Sequence, residues 1–308
     1  FKDALTSLKN KGMQNLVLDL RGNGGGFVDI ATKIVDEFLK EDKRIVFTKN
    51  SKGSIEESFA TQKGDFEDGG LYVLIDENSA SASEIVAGAL QDNDKGTIVG
   101  RRSFGKGLVQ IEMNLGDGSA VRLTTARYYT PTGRSIQKPY TKDGNTDYYT
   151  DYRKRIQSGE LLHQDSIPIV DSLKFTTQKG KIVYGGGGII PDVFVAIDTT
   201  AEMTDFYFRT VSNFAFDYVD KNRKELTQQW SVDHFVDHFD EDDKIFQTYL
   251  NEIKEVKRNN AFRTIETLRG YLKATIANEL FGDIGFYRIL HQNDKMIQKV
   301  LELDSLKE

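Results

Sequence analysis

Ser81 and Lys106 are the residues whose types and spacing point most directly to chemistry. Ser81 stands at the start of a predicted helix, in the run NSASASE of residues 78–84, and Lys106 follows 25 positions later between two glycines. A serine hydroxyl is a weak nucleophile until a nearby group takes its proton. Because the chain has no cysteine and only four scattered histidines, a lysine is a plausible base. The pair predicts a hydrolase.

A lysine base needs surroundings that disfavour its charge, because an amine in water is protonated at neutral pH. The small residues Ala80, Ala82, Gly105 and Gly107 let backbone pack close to both groups. Gln110 lies four positions beyond Lys106 and is expected to hold the amine in line through a hydrogen bond.

A tetrahedral intermediate also needs donors for its oxyanion. Ser81 precedes a helix, so its own amide and that of Ala82 are expected at the positive helix end. We expect the second donor from the glycine loop formed by Gly24, Gly25 and Gly26, whose amides can adopt unusual dihedral angles because they lack a β-carbon.

Alternating strands and helices are predicted to bring these segments together. The apolar runs 16–20 and 71–75 read as buried strands, the first ending at the glycine loop and the second at the serine run. Helical spacing follows both, over residues 28–39 and 84–90. In open α/β sheets ligands gather beyond the carboxyl ends of strands, so both loops are predicted to face one cleft.

The rest of the chain divides near residue 200. Strands are predicted at 97–99, 108–113, 120–129 and 193–197, with Gly116–Gly118 turning a hairpin between the second and third. The polar segment 140–180 reads as a long surface excursion. From about Thr204 the pattern is helical to the end. The prediction is thus an α/β domain over residues 1–200 and a C-terminal all-helical domain over residues 201–308.

Composition excludes several classes of protein. The chain has 308 residues, 38% of them hydrophobic, which is enough for a substantial core. A net charge of −6 and a pI near 5.4 argue against a nucleic-acid surface. No apolar stretch approaches the roughly 18 residues of a membrane span. The chain starts at Phe1 rather than at methionine, so any targeting segment is expected upstream.

Each signal has an alternative interpretation. A serine at a helix start is most often a cap, a lysine between glycines is often a solvated turn residue, and Gln110 in a strand is often only an exposed polar position. The segment 100–106 has phosphate-loop spacing, but Gly107 stands where a serine or threonine would bind magnesium. Gly22–Gly24 begins a dinucleotide fingerprint that Phe27 breaks. His234 and His238 share a helical face, which leaves a zinc hydrolase open.

Five ordered segments carry a resemblance to a known family. They are residues 18–26 (LDLRGNGGG), 78–90 (NSASASEIVAGAL), 99–110 (VGRRSFGKGLVQ), 129–137 (YTPTGRSIQ) and 188–192 (GIIPD). Together they resemble the C-terminal processing peptidases, also called tail-specific proteases, over roughly residues 1–200. The resemblance implies that Ser81 is the nucleophile, Lys106 the general base and Gln110 the residue that orients the lysine. It further implies an oxyanion hole made by the backbone amides of Ala82 and of one loop glycine, chiefly Gly25, with Gly24 beside it.

The same resemblance implies a fold and a function. The fold would be an α/β core of the crotonase and Clp-protease type, with a parallel sheet and hairpin strands, followed by the helical region. The function would be that of a serine endopeptidase cleaving polypeptides near accessible C-terminal tails, without metal, cofactor, nucleotide or nucleic acid, in the bacterial periplasm or cell envelope. The terminal helices are assigned to self-assembly or to a platform role.

Two features depart from the family. Many members have proline where this chain has Gly24, and the family usually carries a peptide-binding PDZ module that nothing in this chain resembles. A catalytically silent protease-like scaffold that binds peptides or apolar ligands is the alternative function.

Overall fold

The chain divides into two compact units, Phe1–Ala196 and Ile197–Glu308, in a computed structural model that describes residues 1–139, 145–199, 203–253 and 262–306. The division lies close to the boundary predicted at residue 200. Each unit has its own cluster of buried apolar side chains.

A four-stranded parallel sheet forms the centre of the first unit. Its strands are β1 (Asn15–Asp19), β4 (Gly70–Ile75), β5 (Thr97–Gly100) and β10 (Val193–Phe194), in the order β1-β4-β5-β10. Helices α1 (Lys2–Asn10), α2 (Val28–Asp36) and α3 (Ala82–Asp92) accompany them. Every residue of α3 is buried, and α2 contributes buried apolar residues to the same core. The expected strand ends and the helices that follow them are therefore present.

A second, antiparallel sheet contains strands that the sequence pattern did not reveal. Its order is β3-β2-β7-β6, with β2 at Arg44–Asn50, β3 at Ile55–Phe59, β6 at Leu108–Asn114 and β7 at Ala120–Tyr129. The hairpin of β6 and β7 was predicted, whereas β2 and β3 were not. These two strands carry charged and polar residues on much of their length, which hides the alternation typical of strands.

Residues 145–196 are more regular than the predicted surface excursion. They contain helix α4 (Asn145–Gln157), two short 3₁₀ turns (Gln164–Ser166 and Asp171–Leu173) and a small hairpin of β8 (Lys174–Thr176) with β9 (Ile182–Tyr184). The predicted surface excursion over residues 140–180 thus contains a helix and a strand that the sequence pattern did not indicate, while residues 140–144 lie outside the described residues. Tertiary packing, including the burial of Leu161, Ile167 and Val183, gives this segment an order that its weak periodicity does not show.

The second unit is helical, as predicted. It contains α5 (Asp205–Gln229), α6 (Val232–His238), α7 (Lys244–Ile253), α8 (Phe262–Phe281), α9 (Asp283–Leu290) and α10 (Lys295–Ser305), with one 3₁₀ turn at His291–Asn293. Its core is rich in aromatic rings, and among the described helices none is both long and apolar enough to cross a bilayer. The α/β class with a parallel sheet, hairpin strands and a C-terminal helical region is confirmed.

Candidate active site

Two loops meet at the carboxyl ends of β1 and β4, which are neighbours in the parallel sheet. Asn23 is the main link between them, because its carbonyl accepts hydrogen bonds from the Ala80 amide and the Ser83 hydroxyl, both at 3.0 Å. Asp76 also accepts from the Gly22 amide at 3.0 Å. The glycine loop and the serine run therefore form one structure, while the expectation that both face one cleft stays a prediction.

Gly25 lies directly against the serine. Its φ is +94°, and a β-carbon added there would come within 2.5 Å of the Ala80 carbonyl oxygen, 2.7 Å of the Ala82 amide nitrogen and 2.8 Å of the Ser81 β-carbon. Both the backbone angle and the contact distances require glycine. The loop therefore places its backbone beside the amide that sequence reasoning assigned to the oxyanion.

The two expected oxyanion donors, the amides of Ala82 and Gly25, differ in their hydrogen bonding. The Ala82 amide is the first of α3, a position that has no acceptor within the helix. The Gly25 amide donates to Asn23 Oδ1 at 2.9 Å. Gly24 has open space around its α-carbon and no positive φ. The amide of Gly25, the loop glycine that lies against Ser81, is thus held by a side chain of its own loop.

Ser81 has a strained backbone, with φ +57° and ψ −116°. Such a conformation costs a non-glycine residue about 1–3 kcal/mol and persists only where its surroundings impose it. The Ser81 amide donates to Glu84 Oε2 at 2.8 Å, so it is not free to serve the oxyanion as the sequence analysis allowed. The strained turn between β4 and α3 resembles the sharp strand-to-helix turns that present nucleophilic serines.

Glu84 connects the serine to the lysine segment. Its Oε1 accepts from the Ser103 hydroxyl at 2.5 Å and the Gly105 amide at 2.7 Å, and its Oε2 also accepts from the Lys106 amide at 2.8 Å. With the bond from Ser81, this fully buried carboxylate has four donors. Burial raises the pKa of the Glu84 carboxyl, and the four hydrogen bonds act in the opposite direction.

Tyr128 of β7 forms a second connection. Its hydroxyl lies 2.9 Å from the Lys106 carbonyl oxygen and 3.1 Å from the Ser81 carbonyl oxygen, and the ring is buried in the core. The main chains of Ser81 and Lys106 are therefore held together from two sides, by Glu84 through their amides and by Tyr128 through their carbonyls.

The side chains of Lys106 and Gln110 are less constrained than this backbone. Lys106 is half-buried, and within the part of the chain that the structure describes its amine has no hydrogen-bond or ion-pair partner. Gln110 is exposed on β6, and its amide nitrogen lies 3.4 Å from Thr124 Oγ1 across the hairpin. The role of Gln110 in orienting the lysine stays a prediction.

Sequence reasoning missed Glu84 and Tyr128. The spacing Ser81-x-x-Glu84 is a capping-box signature, and the structure does form its bond from the Ser81 amide to the glutamate. That signature contained the signal, but the bonds from Glu84 to residues 103–106 depend on tertiary structure. Nothing in the local sequence marks Tyr128 apart from the neighbouring Tyr129.

As far as the structure describes the chain, the phosphate-loop spacing of residues 100–106 and the pair His234 and His238 lack the surroundings of a nucleotide site and of a zinc site, respectively. The segment 100–106 runs into strand β6 and not into a helix. His238 Nδ1 lies 2.9 Å from Glu241 Oε1, and the His234 ring stacks on Trp230 at 5.0 Å between centroids. Across the described residues there is no group of three or more side chains that could hold a metal ion.

Known proteins match mainly the first unit. A family model described as Peptidase family S41 matches residues 1–145, and a model described as a family of unknown function (DUF8443) matches residues 207–282. The chain is 48% identical over 137 residues to the carboxy-terminal-processing protease of Bartonella bacilliformis, covering 44% of this chain and 31% of the relative. It is 43% identical over 135 residues to the carboxyl-terminal-processing protease of Synechocystis sp., again covering 44% and 31%.

A solved structure described as photosystem II D1 C-terminal processing protease is 30% identical, with a TM-score of 0.44, covering 63% of this chain and 38% of that chain. The chain spans about a third of the length of the curated relatives it matches. The matched segment includes the glycine loop, Ser81, Lys106 and the hairpin that carries Gln110. Residues 1–145 are therefore similar to peptidase family S41.

Proposed function

We propose that this chain is the catalytic part of a serine endopeptidase in which Ser81 is the nucleophile and Lys106 the general base. The observation that carries the proposal is the close placement of three backbone segments. The Gly25 loop touches Ser81 and the Ala82 amide, while Glu84 holds the amides of Ser81 and Lys106 on one carboxylate. Acyl transfer needs a nucleophile, a base and oxyanion donors within a few ångströms of one another.

The reaction would proceed through an acyl-enzyme. The Lys106 amine takes the proton of the Ser81 hydroxyl as the serine oxygen attacks the peptide carbonyl carbon, and the carbonyl oxygen becomes an oxyanion. The resulting ammonium then gives its proton to the leaving amine as the peptide bond breaks. A water molecule, deprotonated by the same amine, then attacks the ester carbonyl carbon. The bond to the Ser81 oxygen breaks, the ammonium returns its proton to that oxygen, and the second product is released. The lysine thus acts as base and acid in turn.

The oxyanion would be held by the Ala82 amide and by an amide of the glycine loop, Gly25 or its neighbour Gly24. Because the Gly25 amide donates to Asn23 Oδ1, it would exchange this bond for the oxyanion during the reaction. Each such donor contributes about 2.7–4 kcal/mol to transition-state stabilisation. Gln110 would leave its contact with Thr124 Oγ1 and form a hydrogen bond with the Lys106 amine instead.

The substrate class and location follow from the relatives by analogy. Proteins named carboxy-terminal-processing protease match the catalytic segment, so we propose polypeptides with accessible C-terminal tails as substrates. A bacterial periplasmic or cell-envelope location is proposed on the same basis. The C-terminal helices are proposed to mediate self-assembly or, as the alternative, to serve as a platform.

The assignment is tested by cleavage of an unfolded protein carrying a fluorescent label. Ser81→Ala and Lys106→Ala should each lower kcat at least about 10³-fold, because either change removes the activated nucleophile. Lys106→Arg should be equally inactive, since a guanidinium does not give up its proton at neutral pH. Lys52→Ala, which changes an exposed lysine in the turn between β2 and β3, serves as the matched control.

Labelling provides an independent measurement. A serine-directed fluorophosphonate should modify Ser81 in the unchanged chain and should fail to label Lys106→Ala. If Lys106→Ala retained turnover, or if the unchanged chain cleaved nothing and resisted the probe, the proposal of a Ser/Lys peptidase would be wrong.

A further inference from the structure

The helical unit contains a groove of 540 Å³ along the C-terminal half of α5. Its volume is in the range typical of ligand sites. The lining residues are Tyr218, Asn222, Glu225, Leu226, Gln229 and Trp230 of α5 and the turn after it, together with His238 to Asp242, Lys244 and Ile245 of the segment that joins α6 to α7. From Tyr218 to Trp230 the helix is about 18 Å long, which matches several residues of an extended polypeptide.

Aromatic rings form the walls of this groove. Tyr218 and Trp230 are half-buried and present part of their rings to it, while Phe239 is buried beneath them. The Trp230 ring meets Phe239 edge-on, with 5.6 Å between the centroids and an angle of 76°. Faces of this kind attract ammonium and guanidinium groups through the ring quadrupole.

Carboxylates stand beside these rings. Asp242 pairs with Lys244 at 2.5 Å and Glu241 lies 2.9 Å from His238, whereas neither Glu225 nor Asp240 has an ion-pair partner among the described residues. Burial raises the pKa of the Tyr218 phenol, and the negative charges of Asp240 and Glu225 raise it further. The Asp240 carboxylate accepts hydrogen bonds from the Ile245 and Phe246 amides, both at 2.9 Å. The groove therefore combines aromatic rings with the unpaired carboxylate of Glu225.

The whole net charge of the chain lies in this unit. Residues 1–196 contain 26 basic and 26 acidic residues, whereas residues 197–308 contain 15 basic and 21 acidic residues. The net charge of −6 is therefore carried by the unit that contains the groove. Such a field favours the approach of cationic partners.

We propose that the groove binds an extended basic polypeptide segment, with one arginine or lysine side chain against the Tyr218 ring beside Glu225 and another against the Trp230 ring. The length of the groove favours a polypeptide over a small amine, and the charge and the rings favour a cationic side chain. This inference concerns the helical unit and does not depend on the proposed peptidase activity.

Trp230 provides a direct probe because it is the single tryptophan of the chain. The full chain is titrated with acetyl-(Arg-Gly)₃-amide while tryptophan emission is recorded, and mass spectrometry checks that the peptide stays intact. A matched peptide with citrulline in place of arginine keeps the shape and the hydrogen bonding but removes the charge. We expect a saturable change with the arginine peptide and none with the citrulline peptide over the same concentrations.

Two variants of α5 separate the groove from general attraction to a negative protein. Glu225→Gln should weaken binding of the arginine peptide about fivefold, as expected for one lost charge contact near a surface. Asp220→Asn removes the same charge from the other side of the helix, outside the groove, and should leave the affinity unchanged. Circular dichroism of both variants confirms that the helices are intact.

A third arm uses N-acetyl-arginine methylamide, which carries the same guanidinium without the chain. It should bind at least tenfold more weakly than the peptide. Equal weakening by the two variants, equal binding of the citrulline peptide, equal binding of the single residue, or no saturable change would each overturn the proposal.

Discussion

Replacing Gly25 by alanine should disable the site by filling the space beside the nucleophile. The added β-carbon would lie within 2.8 Å of the Ser81 β-carbon and closer still to two backbone atoms, the Ala80 oxygen and the Ala82 nitrogen. Backbone atoms cannot move aside as the end of a flexible side chain can, so the glycine loop would have to retreat. An L-residue at φ +94° adds about 1–2 kcal/mol of strain.

The effect on activity should exceed the effect on stability. Retreat of the loop withdraws one oxyanion donor, and loss of one such donor lowers kcat about 10²–10³-fold, equivalent to about 2.7–4 kcal/mol. The free energy of unfolding, measured with urea, should fall by about 1–3 kcal/mol because the loop is exposed and can rearrange. The assay compares kcat/KM on an unfolded protein substrate with urea unfolding of the same samples.

Gly26→Ala is the matched control for this change. Gly26 belongs to the same loop, has open space around its α-carbon and lacks a positive φ, so alanine fits there. It should retain activity within about threefold. If Gly25→Ala kept activity at that level too, or if both variants lost activity equally, the reasoning from contact distance would be refuted.

Three further changes test the surrounding structure. Glu84→Ala should lower the free energy of unfolding by about 3–5 kcal/mol and remove cleavage, because four donors lose their acceptor. Urea unfolding and the cleavage assay check the two effects, and an active, stable variant would contradict the prediction. Tyr128→Phe should lower the free energy of unfolding by about 1–2 kcal/mol and should lower kcat, because the hydroxyl contacts are lost. The ring of Tyr129 stacks on Phe47, and Tyr129→Phe should change neither quantity. Equal effects of the two variants would argue against the hydroxyl contact. Arg134→Ala should lower the free energy of unfolding by about 3–5 kcal/mol, because it leaves the Asp92 carboxylate charged and buried. Arg122→Ala, in the exposed pair with Glu112, should lower it by less than about 1 kcal/mol. Similar urea midpoints for the two variants would refute the distinction.

The sequence was most informative where local pattern and topology agree. The apolar runs of β1 and β4 each end at a loop with unusual composition, and parallel pairing necessarily brings such loops to one edge. The proximity of Gly25 and Ser81 could therefore be expected before any coordinates. The contact that makes glycine obligatory at position 25, and not at 24 or 26, could not, because it depends on distances between two loops.

Other features were hidden because their cause is tertiary. Strand β3 has the sequence IEESF, which buries little on either face and gives no alternating signal, yet it pairs with β2 over its whole length. Glu84 reads locally as a helix cap, and its bonds to the segment before Lys106 involve residues about 20 positions away. The exposed position of Gln110 follows from its place on a hairpin whose outer half is open to solvent.

The shared carboxylate of Glu84 makes the two reacting segments a single cooperative unit. If residues 103–106 moved away from α3, the Glu84 carboxylate would lose three hydrogen-bond donors at once. The Ser81 amide would then be the remaining donor to this buried carboxylate. An assembly with the serine in place and the lysine segment detached is therefore a costly state, and the two halves should form and melt in one step. Amide exchange at Ser81, Gly105 and Lys106 would accordingly report one common opening event.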